Sequence, residues 1–521
     1  MALARRAGAG ARWLAARPLA ALFLVYLVVV IGFVVPRITA DGVAYYAEAR
    51  SILFDGDLDL ANEYALDSQV YSPLSDAGPR AFLPRDELGR FQHNVNVGIV
   101  VLFAPFLLVA HGIAFLLNLV GLATPMDGYA QVYVLALSFG TSALLAAAVA
   151  LMVSYGRTLV GPGIALAGGV AAWLGTSVFY WAVFRPAHAH APAVLLEALF
   201  VVLFLSRARR VDDRLAWFLL GAVGGLMLTV RPVTGLYAAV PAAYLVLVVL
   251  GRLRDAWRAE RAGCRPGRPG DEGRRSGSRG VGAVAPRSEI RALGVSLVSP
   301  AIAGLLFLAG SFLGRLPQFA FARDLSLFGT SFYSDSGYLD DGLAGTPLDG
   351  VASLVVHPLQ GNLWWAPLVP LSLIGLAAFW RRDRLTALAG VAWAALIWGF
   401  VSLLGVPERF GGFGLESRHL VEATPVYMLG AMGLLALGRD AVRALLRLGR
   451  LTLARTVALA AGFGMVAVVA WNVLAHVASL IIQVAGASPA ERVLRLLARP
   501  PVLGRLYLDR ATLEAPEGRV F

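Results

Sequence analysis

Apolar runs long enough to cross a bilayer recur along the whole chain, separated by arginine-rich or acid-rich connections. They fall at 19–36, 97–120, 131–155, 163–183, 191–206, 215–230, 233–250, 293–314, 362–380, 385–406, 421–437 and 456–480. Each reads as a helix, because ~20 apolar residues match the hydrocarbon thickness of a membrane. The pattern predicts an all-α polytopic membrane protein with about 11–13 transmembrane helices. Its transmembrane domain covers 1–480, followed by a short outer segment at 481–521. No internal repeat and no strand-rich soluble domain interrupts the pattern.

The charged connections set the expected orientation. Arg5, Arg6, Arg12 and Arg17 precede the first run, and Ile38-Thr39-Ala40 makes a poor cleavage site, so that run reads as a retained helix. Cytoplasmic loops carry an excess of arginine. On that rule the N-terminus, 207–214, 252–291, 381–384 and 439–455 lie inside. Loop 252–291 holds eleven Arg against five acids and is rich in Gly and Pro, which predicts disorder. Segment 37–96 holds ten acids against five Arg and is assigned to the outer face as a long loop. Segments 184–190, 315–361 and 407–420 share that side. One count stays open: Arg157 belongs inside only if 97–120 is re-entrant or split, and otherwise Arg157 lies outside.

Composition agrees with the pattern and narrows the chemistry. The 521 residues are 58% hydrophobic and 15% charged, with a mean hydropathy of +0.70, outside the soluble globular range. All 45 basic residues are arginine, so a side-chain cation gripping phosphate must be Arg or His. The net charge of +12 sits in loops, where it serves topology rather than nucleic-acid binding. A single cysteine, Cys264, excludes an internal disulfide and a cysteine metal site.

The outer connections hold the candidate chemistry. A helix over 41–53, expected on the membrane surface as a juxtamembrane amphipathic element, puts Asp41, Tyr45 and Glu48 on one face at i, i+4 and i+7. Asp41 reads either as a general base for a hydroxyl at the interface or as a helix N-cap. Asp55, Asp57 and Asp59 suggest calcium, but Leu60 and Leu66 occupy positions where an EF-hand needs Gly and Glu, which leaves a solvated turn. Arg185, His188 and His190 share one loop, and their i, i+2 imidazole spacing suits a strand better than a helical metal pair. Glu197, inside an apolar run, is a functional or helix-pairing candidate by default. Arg231 closes a run as an interface arginine or as a lipid-phosphate contact. Glu416, Arg418 and His419 follow Gly411-Gly-Phe-Gly414, where backbone can approach a ligand closely.

Several stretches resemble, in order, the GT-C superfamily of integral-membrane glycosyltransferases, near the bacterial aminoarabinose transferases and protein O-mannosyltransferases. They are Asp41 and Tyr45 with SILFDGDLDLANEY at 51–64, HNVNVGIVVLFAPFLLVAH at 93–111, MLTVRP at 227–232, LSLFGTSFYSDSGY at 325–338, HPLQGNLWWAP at 357–367 and GGFGLESRHLVEATP at 411–425. The resemblance implies inverting transfer of a sugar from a polyprenyl-phosphate donor to a lipid, glycan or protein acceptor, on the outer face of the bacterial cytoplasmic membrane. It implies that Asp41 is the catalytic base. Tyr45, Glu48, Arg185, His188, His190, Arg231, Glu416, Arg418 and His419 would bind substrate, with Arg231 or Arg418 at the leaving phosphate. Many relatives carry Asp-Glu at the first-loop site, whereas Gly42 follows Asp41 here, which leaves the second acid's role open to partial replacement by Glu48 on the same expected face. No residue is assigned to a tightly bound metal, and a loosely held Mg²⁺ or Mn²⁺ remains compatible with the acids. Two other readings stand beside this one: a transporter, flippase or O-antigen-type polymerase for lipid-linked glycans, and a scaffold with a degenerate site.

Overall fold

The protein is described by a computed structural model covering residues 17–38, 41–57, 59–60, 63, 97–263, 286–322, 347–357, 361–404 and 418–485. Among these residues the chain is all-α, and eight helices are long and apolar enough to span a membrane. Four shorter apolar helices, Pro18–Phe33, Pro162–Gly175, Arg214–Val230 and Leu368–Phe379, accompany them. Side chains that water would disfavour cover the outside: Leu305 is 67% exposed, Leu459 73% and Phe463 77%. Such a surface suits lipid rather than water. The large side chains turned inward are aromatic, with Trp173, Trp217, Trp393, Tyr46, Tyr237 and Tyr427 fully buried.

Helix α1 (Pro18–Phe33) leads to α2 (Asp41–Arg50), which continues as a π-turn, Ser51–Asp55. Gly56 then closes the turn at φ +78°, a conformation that glycine adopts without a Cβ penalty. Eight of the ten residues of α2 are buried, so this helix is packed inside the protein instead of showing the one-sided burial expected of a surface helix.

Helices α3 (Ile99–Leu119) and α4 (Gln131–Val160) form an antiparallel hairpin: His111 Nδ1 meets Tyr133 Oη at 3.0 Å, and Phe106 packs where a side chain at Gly140 would otherwise sit. Helix α3 is continuous through Pro105. It starts beside Thr229, where Gly98 N–H donates to the Thr229 carbonyl at 2.9 Å, and runs away from Arg157.

The Arg157 end of α4 is tied to the arginine-rich connections. Arg439 Nη1 donates to the Val160 carbonyl at 2.6 Å, and Tyr155 Oη lies 2.6 Å from Thr386 Oγ1. Arg209 pairs with Asp383 at 2.7 Å. Arg157 therefore groups with the connections that charge assigns to the inside, and 99–119 is an unsplit helix on the other side of the bundle's middle.

Helices α5 (Pro162–Gly175), α6 (Val178–Val183), α7 (His190–Leu203) and α8 (Arg214–Val230) follow. The chain continues through a 3-10 segment, Pro232–Ala238, into α9 (Ala239–Gly263). Helix α9 carries the start of the 252–291 loop, and α10 (Pro286–Gly314) carries its end, so both ends are helical; 264–285 lies outside the described residues. Helices α8 and α10 pack backbone to backbone. A methyl group at Gly221, Gly225, Gly310 or Gly314 would collide with a carbonyl of the facing helix. This small-xxx-small spacing lets membrane helices approach closely. Beyond Pro347–Val356, Asn362–Trp365 and Leu368–Gly375 come α11 (Arg384–Leu403), α12 (Thr424–Arg447) and α13 (Leu451–Ala485).

Candidate active site

At the end of the bundle opposite the arginine-rich turns, four separate connections meet. Val35 N–H donates to the Val183 carbonyl at 2.8 Å, which fastens the end of α1 to α6 and delivers Asp41 at the first turn of α2. The Asp41 carboxylate is 47% exposed and accepts from Arg418 Nη1 at 2.8 Å. Burial acts to raise its pKa, but Arg418 first, then His188, His190 and Arg231, outweigh that effect, and Asp41 sits below the ordinary carboxylate value. It is an ionised group at neutral pH, facing cations.

Tyr45 and Glu48 follow on the same helix face and are buried at 4% and 0% exposure. Burial pushes the Tyr45 phenol up to about 12, with nearby Arg231 and Arg418 opposing the rise. Gly42 is closely packed, because a Cβ there would meet Ala187 and the His188 ring at 3.0–3.3 Å. The residue after Asp41 is therefore small for packing, which gives a physical reason for the absent second acid.

Glu422 anchors the layer beneath. Its Oε1 accepts from His190 Nδ1 at 2.9 Å and pairs with Arg231 Nε, while Tyr237 Oη donates to the Glu422 carbonyl at 2.6 Å. His188 and His190 stack at 6.3 Å with a 15° interplanar angle, and Trp181 lies 5.0 Å and 4.4 Å from them. Trp181 thus packs against both imidazoles, and Glu422 bonds that of His190. His419 is buried at 4% exposure, and its Nε2 has no hydrogen-bond partner among the described residues.

Arg185 lies to one side, with its Nε 3.3 Å from Tyr180 Oη. Arg37 is close to it: burial lowers the Arg37 pKa, and the Arg185 charge lowers it further. Arg37 Nε is buried without a hydrogen-bond partner among the described residues. Two neighbouring guanidiniums, half-buried beside a phenol, suit an anion.

The structure therefore joins Asp41, Tyr45, Glu48, His188, His190, Arg231, Arg418 and His419 in one cluster, with Arg185 on its flank. Glu416 lies outside the described residues. Glu197 is fully buried two turns along the same helix face from His190, near Glu422 and Arg231, and neither of its oxygens finds a hydrogen bond among the described residues.

Sequence reading missed Glu422, Tyr237, Trp181 and Arg37. Glu422 was within reach, since it is the second residue of the apolar run 421–437 and the rule that singled out Glu197 applies equally to it.

The Asp55–Asp59 turn is structural. Asp57 Oδ1 accepts from Ser51 Oγ at 2.9 Å and from Asp59 N–H at 3.2 Å, and Asp55 pairs with Arg50. Among the described residues no three His, Cys, Asp or Glu side chains gather in a metal-holding group. No step is assigned to a cation here.

No protein-family model matches the chain, and no curated protein matches it.

Proposed function

We propose that the protein is a glycosyltransferase of the GT-C type, moving a sugar from a polyprenyl-phosphate donor to an acceptor hydroxyl with inversion at the anomeric carbon. The observation that carries the reading is the Asp41–Arg418 pair. An ionised, half-exposed carboxylate lies in the polar cluster of an apolar bundle, in reach of the charges of Arg418 and Arg231 and beside His188 and His190. One base beside several cations matches a reaction that takes a proton from one oxygen and develops charge on another.

In this reading Asp41 takes the acceptor hydroxyl proton. The hydroxyl oxygen attacks the anomeric carbon, the bond from that carbon to the phosphate oxygen breaks, and the electron pair leaves on the lipid phosphate. Arg418 and Arg231 stabilise the departing anion. A carboxylate held by a guanidinium is a weak base. Donor phosphate drawing Arg418 toward itself frees Asp41, so donor binding and base activation are linked. Tyr45 and Glu48 position the sugar, and Glu422 holds Arg231 and His190 in place. The reading puts the N-terminus in the cytoplasm and the site on the outer face of a bacterial cytoplasmic membrane. Its partners are the lipid-linked donor, membrane lipid and a lipid, glycan or protein acceptor.

The test uses purified wild type and Asp41→Asn in nanodiscs, with labelled polyprenyl-phosphate sugars and a cell-envelope extract as acceptor. Release of polyprenyl phosphate by wild type alone supports the reading. Equal release by both removes Asp41 from the role of base.

One observation favours a transporter or flippase: Glu197, a fully buried acid within an apolar helix, because intramembrane carboxylates mark ion and substrate pathways. Movement of intact donor across the bilayer without sugar transfer would favour that reading.

A further inference from the structure

The arginine-rich end of the bundle carries a cavity that the sugar-transfer reading does not use. It measures about 490 Å³ and is lined by Trp380, Arg381, Arg382 and Arg384, at the turn that enters α11. Two charges of this turn are engaged within the protein. Arg382 bonds Asp440 and the Ala378 carbonyl. Asp383 caps α11 by accepting from the Leu385 and Thr386 N–H groups at 3.1 and 3.4 Å, and it also pairs with Arg209. Arg381 and Arg384 are exposed, and no described residue pairs with either. Trp380 is 52% exposed beside them.

What lies below the cavity defines its ligand. Leu388 and Val391 follow Arg384 at i+4 and i+7, on the same helix face, and are 54% and 53% exposed. A cationic, aromatic mouth thus continues directly into an apolar stripe. A soluble anion would use the first part and leave the second bare, whereas a phospholipid uses both. Tryptophan belongs at the headgroup level of a membrane, and a guanidinium pair grips a phosphodiester at two points.

We infer that this turn is a binding site for an anionic phospholipid, with its phosphate between Arg381 and Arg384, its glycerol region against Trp380 and an acyl chain along Leu388 and Val391. The site is at the opposite end of the bundle from Asp41 and stands independently of the sugar-transfer reading.

The test is native mass spectrometry of the full chain released from detergent, with dioleoyl phosphatidylglycerol or dioleoyl phosphatidylcholine added at equal concentration. Wild type should retain phosphatidylglycerol in preference. The double variant Arg381→Gln/Arg384→Gln should lose that preference by on the order of 10-fold, from the loss of two basic contacts near a charged headgroup. Trp380→Ala should weaken it less. The control Arg447→Gln/Arg450→Gln removes two exposed charges at the same end, away from the cavity, and should keep it. Equal loss in both double variants would mean a diffuse charge effect and would overturn the site, as would no loss in either. Displacement of the lipid by equimolar inorganic phosphate would overturn the lipid assignment.

Discussion

Arg418 donates to the Asp41 carboxylate at 2.8 Å across 377 positions of sequence, joining the first turn of α2 to the 3-10 turn Arg418–Ala423 that leads into α12. This contact helps keep the proposed base ionised, and it has a pH consequence. Burial alone raises the Asp41 pKa, and Arg418 is the foremost charge that brings it below the ordinary value. Arg418→Gln should therefore move the acidic limb of the kcat/KM profile to higher pH, and Arg418→Lys should partly restore it. The same variant should slow transfer by about 10²–10³-fold, the typical cost of losing one donor to a developing anion. An unmoved acidic limb would show that the pair does not control the titrating group.

Stability should follow the same ionisation. A carboxylate whose folded pKa is depressed contributes stability above its unfolded value, about 3.9, and loses it as pH falls through the folded value. Melting temperature of wild type should decline on acidification below about pH 4. Asp41→Asn should decline less steeply over that window while abolishing transfer. Parallel curves would remove this pair from the acid sensitivity of the fold.

Glu422 has a different role, because it neutralises Arg231 where both are buried: their side chains are 1% and 9% exposed. Removing one charge of a buried pair strands the other, at about 3–5 kcal/mol. Glu422→Gln should lower stability by that amount. The double variant Glu422→Gln/Arg231→Met should recover much of it, since no unpaired guanidinium then remains, yet transfer should stay lost. Thermal melts of the three proteins in one detergent decide the matter. No recovery in the double variant would mean that the Glu422 side chain acts through His190 instead.

The apolar runs and the arginines between them made the helical membrane architecture legible, because hydropathy and charge are local properties. The site was legible in pieces. Asp41, His188, His190, Arg231 and Arg418 stand out as polar residues at the ends of apolar runs, but their meeting is a tertiary event that no local pattern encodes. The burial of Asp41–Arg50 was hidden for a similar reason. Its residues are mixed in polarity, and what encloses it is the 127–129 turn: Tyr46 bonds the Gly128 carbonyl, and Arg50 Nε donates to the Asp127 carbonyl at 2.8 Å. The direction of 99–119 relative to Arg157 likewise depends on the Gly98–Thr229 contact, between residues 131 positions apart.

Arg50 makes that enclosure testable. It pairs with Asp55 and with Glu63 at 2.7 Å, and its guanidinium lies 4.5 Å from the centre of the Tyr129 ring. Glu63 is buried, and burial raises its pKa to about 7 even beside Arg50, so after Arg50→Gln it protonates and the cost should fall below the about 3–5 kcal/mol of a stranded buried charge. Arg50→Lys should cost less, keeping the charge while losing the two-pronged grip. Because α2 carries Asp41 at its other end, transfer should fall with stability. A stable Arg50→Gln protein would show that α2 does not depend on the Arg50 ion pairs.

Glu197 gives the sharpest separation between stability and function. Both of its oxygens are buried without a hydrogen bond among the described residues, and Glu422 lies near. A buried polar group without partners costs about 1–3 kcal/mol on mutational evidence. Glu197→Leu should therefore raise the melting temperature, and Glu197→Gln should leave it close to wild type. A residue kept only for packing would show full activity in the Leu variant. We expect at least a 10-fold loss of transfer instead, since destabilising groups persist where function needs them, a trade that stabilising substitutions expose. Under the transport reading, wild type should show no transferase activity, and Glu197→Gln should abolish movement of the lipid-linked donor. Melting curves and the polyprenyl-phosphate release assay on the same preparations distinguish the outcomes. A Leu variant that is both less stable and fully active would contradict the assignment of Glu197 to either function.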